Sequence, residues 1–593
     1  MPDPRQELTD RLAARRGRVA SLDRLDAWIA RARLATFVAG AVVAWRSLAS
    51  SAFSPAWILL PAAAFLALAV VHDRTFRARD RARRAVAFHE AALARMDGRF
   101  AGSGVTGERF ARPDHPYALD LDLFGAGSLF ELLCGARTRP GEERLAGWLL
   151  APAAAPEVRA RQRAVAELAP RIDLREDLAV LGEDVRAAVE AARLAAWGAA
   201  PRLLAPALGP AALALAAAGV AAIWAWAAGL GPLPLLLVLL ADWALARLVR
   251  PGLGRVLGGL DRPATELRVL ALLLGRLERE PLDHPRLAGL LGRLLPGGAP
   301  ASARIAALVR IAARVEWARN QLFAPLAVLL QWTPLHAVQV ERWRSRNGPA
   351  VAGWLDAVAE LEALSSLAGH AYEHPEAPFP EVLDPAPGGA RLEGEALRHP
   401  LLPRAVPNDA ALGGGAPQAL LVSGSNMSGK STYLRTVGVN VVLALAGAPV
   451  HAARLALTPL HAGATLRIQD SLQGGTSRFY AEITRLKELM DVARGPVPLL
   501  FLLDEILHGT NSHDRRIGAE ALVRGLLAAG AVGLVTTHDL ALTELAGGGG
   551  ALANAHFEDQ VRDGRIAFDY RLRPGVVGHS NALALMRGVG LEV

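Results

Sequence analysis

Thiols and amines are the scarcest functional groups in this chain: its 593 residues include one cysteine, Cys134, and two lysines, Lys430 and Lys487. A single thiol excludes an intramolecular disulfide and a cysteine-built zinc site, and it suits a reducing compartment for the soluble parts. There is no acidic or basic tail, and a formal charge of +8 is modest for this length. Basicity of that size does not select nucleic acid, because an anionic membrane surface would suit it equally well. Residues 1–33 are polar, arginine-rich and helix-compatible, and they lack the pattern of a cleaved signal peptide. No repeat of fixed period is present.

Long apolar runs, by contrast, are plentiful. Leu34–Phe53 and Pro55–Val71 are each close to the length a bilayer-spanning helix requires. Arginines stand on the outer flanks, Arg31 and Arg33 before and Arg74 to Arg84 after, while the link near Ser54 has none. That asymmetry predicts a transmembrane hairpin with both ends in the cytoplasm, with Arg46 snorkelling toward an interface. A second apolar block, about residues 203–249, divides at Gly229–Pro232 and predicts a second hairpin. Asp242 within it would cost about 2.5–3.5 kcal/mol at a bilayer centre, a penalty its leucine neighbours offset in part. The competing reading is a pair of buried helices in a soluble protein. With an even number of spans, every soluble part faces the cytoplasm; the alternative location is the cytoplasm itself.

Between and after these blocks, residues 120–198 and 262–370 carry apolar residues at three- and four-residue spacing and predict amphipathic helices. A Pro- and Glu-rich stretch, Tyr372 to Gly389, marks a boundary, and short apolar strands alternating with helices follow. The expected domains are 1–119 with the first hairpin, 120–370 as a helical core interrupted by the second, and 371–593 as an α/β unit.

The α/β unit holds the chemistry. Ala419–Val422 is a short apolar strand running into Gly424-Ser425-Asn426-Met427-Ser428-Gly429-Lys430-Ser431, and a helix follows from Thr432. Strand, G-x-x-x-x-G-K-S loop and helix form the context of a phosphate-binding loop. Its amides and helix N-terminus receive phosphates, Lys430 reaches the β- and γ-phosphates, and Ser431 ligates Mg²⁺. In a chain almost drained of lysine, one stands here, where arginine's broad fork would not fit a ring of backbone amides. An all-apolar strand, Leu499–Leu503, then delivers Asp504 as a second Mg²⁺ ligand and Glu505 as the base that positions water. Another strand ends in His538, placed to sense the γ-phosphate.

The flanking residues carry a family resemblance. GSNMSGKSTYLR closely resembles the phosphate loop of the MutS family of DNA mismatch-repair ATPases, and DEILHGTNSHD and TTHDLALTEL resemble two further motifs of that family. RHPLL at Arg398–Leu402 and VPND at Val406–Asp409 resemble its approach to the nucleotide, which adds Asn408 to the nucleotide-binding residues. RIQDSLQGGTSRFYAEI keeps the family pattern with Asp470, Leu472, Gly475, Ser477, Phe479 and Glu482. The resemblance implies that Gly475 and Ser477 act in trans on a partner's nucleotide, hence a homodimer, and it implies DNA as a partner. Residues 129–168 are similar to the start of the family's helical core, with Gly141, Arg144, Leu145, Trp148, Leu149, Pro152, Arg161 and Gln162 matching.

The departures from the family lie outside the ATPase. A G-x-F-x-E mismatch wedge is missing, and Phe88-His89-Glu90 is a poor substitute, lacking the glycine and lying in a helical run. The second apolar block stands where a DNA clamp is expected, and the chain ends near the ATPase without the family's C-terminal dimerisation segment. The expected fold is thus a C-terminal α/β P-loop NTPase of MutS/ABC type, preceded by an all-α lever domain with two transmembrane hairpins. The expected function is a membrane-anchored, ATP- and Mg²⁺-dependent ATPase that drives helical levers through a dimer cycle. One alternative is an ABC-type transport ATPase, disfavoured because GGTS lacks the surrounding L-S-G-G-Q. The other is a soluble DNA-binding relative.

Overall fold

The computed structural model describes residues 3–50, 54–188, 191–258, 264–385, 389–425, 427–467, 478–507, 510–538, 540–548, 550–562 and 565–576. They form two compact units, Met1–Ser103 and Gly104–Val593. The division falls ahead of residue 119 because the intervening stretch is bonded into the second unit. Gly104 N–H donates to Glu131 Oε1 at 2.8 Å, and the Tyr117 hydroxyl donates to the Leu149 carbonyl at 2.9 Å.

The first unit is a hairpin of two long helices, α1 (Pro4–Ser50) and α2 (Leu59–Met96), linked by a 3-10 turn at Pro55–Ile58. Alanine, leucine and arginine all favour helix, so each apolar stretch continues without a break into its arginine-rich flank. Ion pairs zip the polar ends antiparallel: Arg5–Asp97, Arg16–Glu90 and Arg79–Asp26, each at 2.7 Å. Arg33 meets His72 at 2.8 Å, and beyond that point the contacts turn apolar. Phe37 faces Phe65, and Gly40 lets Pro61 approach so closely that a Cβ there would lie 3.4 Å away. The outward faces of the same stretch are bare: Trp45 is 73% and Leu48 is 82% exposed. Phe88-His89-Glu90 lies within α2, with His89 fully buried and Phe88 half-buried.

In the second unit α3 (Leu208–Ala227) and α4 (Leu233–Gly258) form the second apolar hairpin, and a 42-residue helix, α5 (Trp332–Glu373), runs through the helical part. Among the described residues, three stretches are long and apolar enough to cross a membrane: Pro4–Ala49, Ala56–Met96 and Leu208–Ala227. The expected fourth span is not among them, since α4 carries Asp242, Arg247 and Arg250 within its apolar length. Asp242 avoids exposure by turning inward. It is 3% exposed and accepts a hydrogen bond from Gln331 Nε2 at 2.7 Å, just ahead of α5.

Shorter helices pack around α5, and the residues that resemble the family's core explain how. Leu145 and Leu149 are buried, Arg144 pairs with Asp356 of α5, and Arg161 stacks over Trp148 at 4.2 Å. Gly141 is required because a Cβ would collide with Glu362 of α5. That buried carboxyl accepts from the Arg137 and Thr138 amides at 3.1 and 3.3 Å and from the Thr138 hydroxyl. Burial, helped by the charge of Glu142, pushes it up to about 7.

Beyond α5 the described residues form ten strands: β1 (Glu381–Val382), β2 (Arg391–Leu397), β3 (Asn408–Gly413), β4 (Ala419–Ser423), β5 (Arg454–Leu457), β6 (His461–Thr465), β7 (Leu499–Asp504), β8 (Val532–Thr537), β9 (Leu552–Arg562) and β10 (Arg565–Pro574). One sheet has the order β1-β5-β2-β3 and the other β10-β9-β4-β8-β7-β6. In the larger sheet β9, β4, β8, β7 and β6 run parallel, while β10 pairs antiparallel with β9. Parallel strands are covered on both faces, which explains why Leu499 to Leu503 are apolar without alternation and wholly buried. The covering helices include α6 (Lys430–Ala446), α7 (Arg478–Ala493) and α8 (Ser512–Ala528).

Candidate functional site

The central strands β4, β7 and β8 all end at one edge, where ligands of open α/β sheets bind. β4 runs into the glycine loop, and the loop needs backbone that L side chains resist: φ is +147° at Gly424 and +104° at Gly429. Gly429 caps the N-terminus of α6, so the first amides of a 17-residue helix point into the loop. Lys430 is nearly fully buried there, and its ammonium donates to the carbonyls of Gly424 and Ser425 at 2.9 and 2.8 Å. Ser428 is also buried, and its Oγ has no hydrogen-bond partner among the described residues.

The next two strands bring the acidic groups. Register places Asp504 opposite Thr536, whose hydroxyl donates to Asp504 Oδ1. The other carboxylate oxygen accepts from Ser431 Oγ at 2.6 Å. Two hydroxyls thus fix one carboxylate, and Ser431 and Asp504 become adjacent hard oxygen donors. Glu505 then leaves the sheet at φ +47°, a left-handed conformation that costs on the order of 1–3 kcal/mol for a non-glycine residue. The turn is held by the Glu505 amide, which donates to Thr536 Oγ1 at 3.1 Å. It aims Oε1 to 3.6 Å from Lys430 Nζ and 3.5 Å from His538 Nδ1, contacts longer than hydrogen bonds.

A cavity of about 640 Å³ opens over these groups, lined by Gly429, Lys430, Ser431, Thr432, Asp504 and Glu505 on one side. Met427, Asn408, Arg404, Phe557 and Tyr570 line the rest. Sequence reasoning did not single out Thr536, Arg404, Phe557 or Tyr570. Tyr570 comes from the β9–β10 hairpin and packs on Gly429, where an added Cβ would sit 3.1 Å from its ring. Asn408, which lines the cavity, is also bonded to this hairpin. Its amide donates to the Tyr570 carbonyl at 2.9 Å and accepts from the Leu572 amide at 2.7 Å, so its polar atoms brace the wall that carries Tyr570.

Of the sequence-predicted site residues, Asn426, Gly475 and Ser477 lie outside the described residues. The described chain on either side of residues 468–477 is anchored. Asp120 accepts from the Leu466 and Arg467 amides, both at 2.7 Å, and its own carbonyl accepts from Arg435 of α6 at 3.0 Å. Downstream, buried Glu482 of α7 accepts from the Leu507 amide, tying α7 to the turn after Glu505.

The donor set fits a magnesium–nucleoside triphosphate. A helix N-terminus, an ammonium and an unpartnered loop hydroxyl suit phosphate oxygens, and paired hydroxyl and carboxylate oxygens suit Mg²⁺. This arrangement defines the class: a P-loop nucleotide site on a doubly covered α/β sheet. The comparisons carry it further. Residues 420–592 match the family model MutS domain V. The chain is 35% identical over 241 residues to "DNA mismatch repair protein MutS 2" of Halobacterium salinarum, covering 40% of this chain and 27% of that protein. It is 34% identical over 242 residues to "DNA mismatch repair protein MutS" of Natronomonas pharaonis, with the same coverage. Against "Endonuclease MutS2" of Thermus thermophilus the identity is 35% over 204 residues, or 34% of this chain and 27% of the relative. Residues 420–592 are thus similar to MutS domain V, and the chain spans only 27% of the length of these relatives.

Proposed function

We propose that this chain is a membrane-anchored ATPase of the MutS type, in which nucleotide turnover moves the helical part built on α5. The observation that carries the catalytic half is the convergence of Lys430, Ser431, Asp504 and Glu505 on one cavity at the strand ends, with His538 3.5 Å from Glu505. Lys430 and the α6 N-terminus bind the phosphates and neutralise their charge. Ser431 and Asp504 hold Mg²⁺, which supplies electrostatic stabilisation of the transferred phosphoryl group when bound. Glu505 orients water and accepts its proton, and His538 beside it responds to the γ-phosphate. Dimerisation, with Gly475 and Ser477 reaching a partner's nucleotide, and binding of DNA are further parts of this reading, supported by the similarity of residues 420–592 to MutS domain V.

Membrane anchoring rests on a different observation. The apolar stretches of α1 and α2 bury almost none of their length within the chain, and that of α3 buries 28% of its own. Large apolar faces left in water are rare in soluble monomers, and a bilayer is the solvent that suits them. The location proposed is the cytoplasmic membrane, with the ATPase facing the cytoplasm.

Detergent-purified protein should hydrolyse ATP in a Mg²⁺-dependent manner. Lys430→Ala should weaken nucleotide binding, whereas Glu505→Gln should keep binding and lower kcat by about 10²–10³-fold. Undiminished turnover in both variants would remove the assignment. Carbonate extraction of membranes tests the anchoring separately: the protein should stay in the pellet, and its release would leave a soluble ATPase.

A further inference from the structure

We propose that His370, His374 and His451 form a zinc-class metal site that staples the long helix α5 to the ATPase domain. His370 lies in the last turn of α5 and His374 caps its end, four residues on, with its amide donating to the His370 carbonyl at 3.0 Å. Four residues is one helical turn, so both rings stand on the same side of the helix end. His451 arrives from the other domain, on the connection between α6 and β5, and its backbone is fixed from two directions. Its amide donates to Asn440 Oδ1 of α6 at 2.8 Å, and its carbonyl accepts from the Arg398 amide at 2.7 Å.

The three rings form a triangle with centroids 4.7, 5.1 and 5.0 Å apart. Each offers one nitrogen, and these nitrogens all lie within 4.8 Å of one another. The closest pair, His370 Nε2 and His451 Nε2, is 3.1 Å apart. A tetrahedral ion with metal–nitrogen bonds of about 2.0–2.1 Å needs ligand nitrogens roughly 3.3 Å apart, so small ring rotations close the site. His374 Nδ1 lies 3.4 Å from the Glu376 carboxylate. A carboxylate on the second ring nitrogen is the arrangement that orients ligating imidazoles and leaves Nε2 for the ion.

Three imidazoles without a thiolate select Zn²⁺, Co²⁺ or Ni²⁺ and discriminate against Mg²⁺, which takes oxygen ligands. None of the three histidines lines the nucleotide cavity. A metal here would join the end of α5 to the segment that follows the phosphate-loop helix, and its fourth position would remain for water. The simplest rival is a plain hydrogen bond between the two Nε2 atoms, with no metal.

The test uses the full-length chain in detergent, stripped of metal and kept in excess Mg²⁺ without nucleotide, so that its failure is distinguishable from failure of the ATPase assignment. Zn²⁺ should bind at one ion per chain and raise the melting temperature, and Co²⁺ in its place should give the visible absorption of a tetrahedral nitrogen site. His374→Gln, at the part-exposed corner, should weaken Zn²⁺ by at least ~100-fold and abolish the cobalt spectrum. His451→Gln should do the same, and if that variant fails to fold the His374 variant alone decides. Glu376→Gln should lower affinity by about 10-fold without loss of stoichiometry. No stoichiometric Zn²⁺ in the wild type, or equal Zn²⁺ binding in His374→Gln, would leave only the imidazole hydrogen bond and overturn the site.

Discussion

Strand β7 and the apolar half of α1 are built from similar side chains, yet Leu499 to Leu503 are shut away from solvent while Trp45 and Leu48 are 73% and 82% exposed. In β7 the neighbours are fixed: β6 and β8 pair on either edge, and α6 and α7 contact its faces. In α1 the main described contacts come from α2 and the short turn that joins them, and one helix can cover only one stripe of another. The second hairpin stands between these cases. Leu213 and Trp224 of α3 are exposed, but Gly219 packs tightly on Leu329 and Asp242 of α4 is sealed by Gln331. Apolar composition therefore states a demand for cover. Which solvent meets it, protein or lipid, depends on what the chain brings alongside.

Changes on the two kinds of surface should differ most in the folded protein's stability. Phe501→Ala in β7 should cost about 3–5 kcal/mol, read by thermal or denaturant unfolding in detergent, because it opens a cavity among fixed neighbours. Next in size is a pH effect at the root of α5. Glu362 is raised from 4.5 to about 7, so its folded form holds the proton. Its contribution to stability is complete below pH 4.5 and is lost as pH rises through about 7, a difference of about 3 kcal/mol. Wild type should therefore lose stability relative to Glu362→Gln between pH 5 and pH 8 in parallel melts.

Gln331→Leu should cost about 1–3 kcal/mol by leaving the Asp242 carboxyl buried without its donor. The companion change Asp242→Asn, which keeps a polar partner for Gln331, should cost less. The smallest effect on the fold is expected at the lipid-type faces. Val42→Asp and Val220→Asp should alter unfolding in detergent by less than about 0.5 kcal/mol. In a membrane-insertion assay the same changes should each raise the cost by about 2.5–3.5 kcal/mol. A large loss in detergent would mean that those faces are covered by protein.

The nucleotide loop was legible because its chemistry demands residue types at fixed spacing. Gly424 and Gly429 must take left-handed backbone, and a helix must follow at Lys430. Asp504 and Glu505 were legible at the end of an apolar strand for the same reason. Thr536 was not, because its role exists only when β8 pairs beside β7 in the observed register. Asn408 could be placed near the nucleotide by its motif, but not its use as a brace for the Tyr570 wall, which comes from a hairpin 162 residues away.

By itself the sequence determined the elements whose cause is local: the long alanine- and arginine-rich helices, the strand–loop–helix of the phosphate site, and the apolar stretches that require cover. Tertiary structure decided what depends on distant partners. It turned Asp242 toward Gln331, set Glu505 between Lys430 and His538, and drew His451 to the end of α5 beside His370 and His374. Those outcomes follow from packing and hydrogen bonding between segments far apart in the chain, and spacing along the chain carries no record of them.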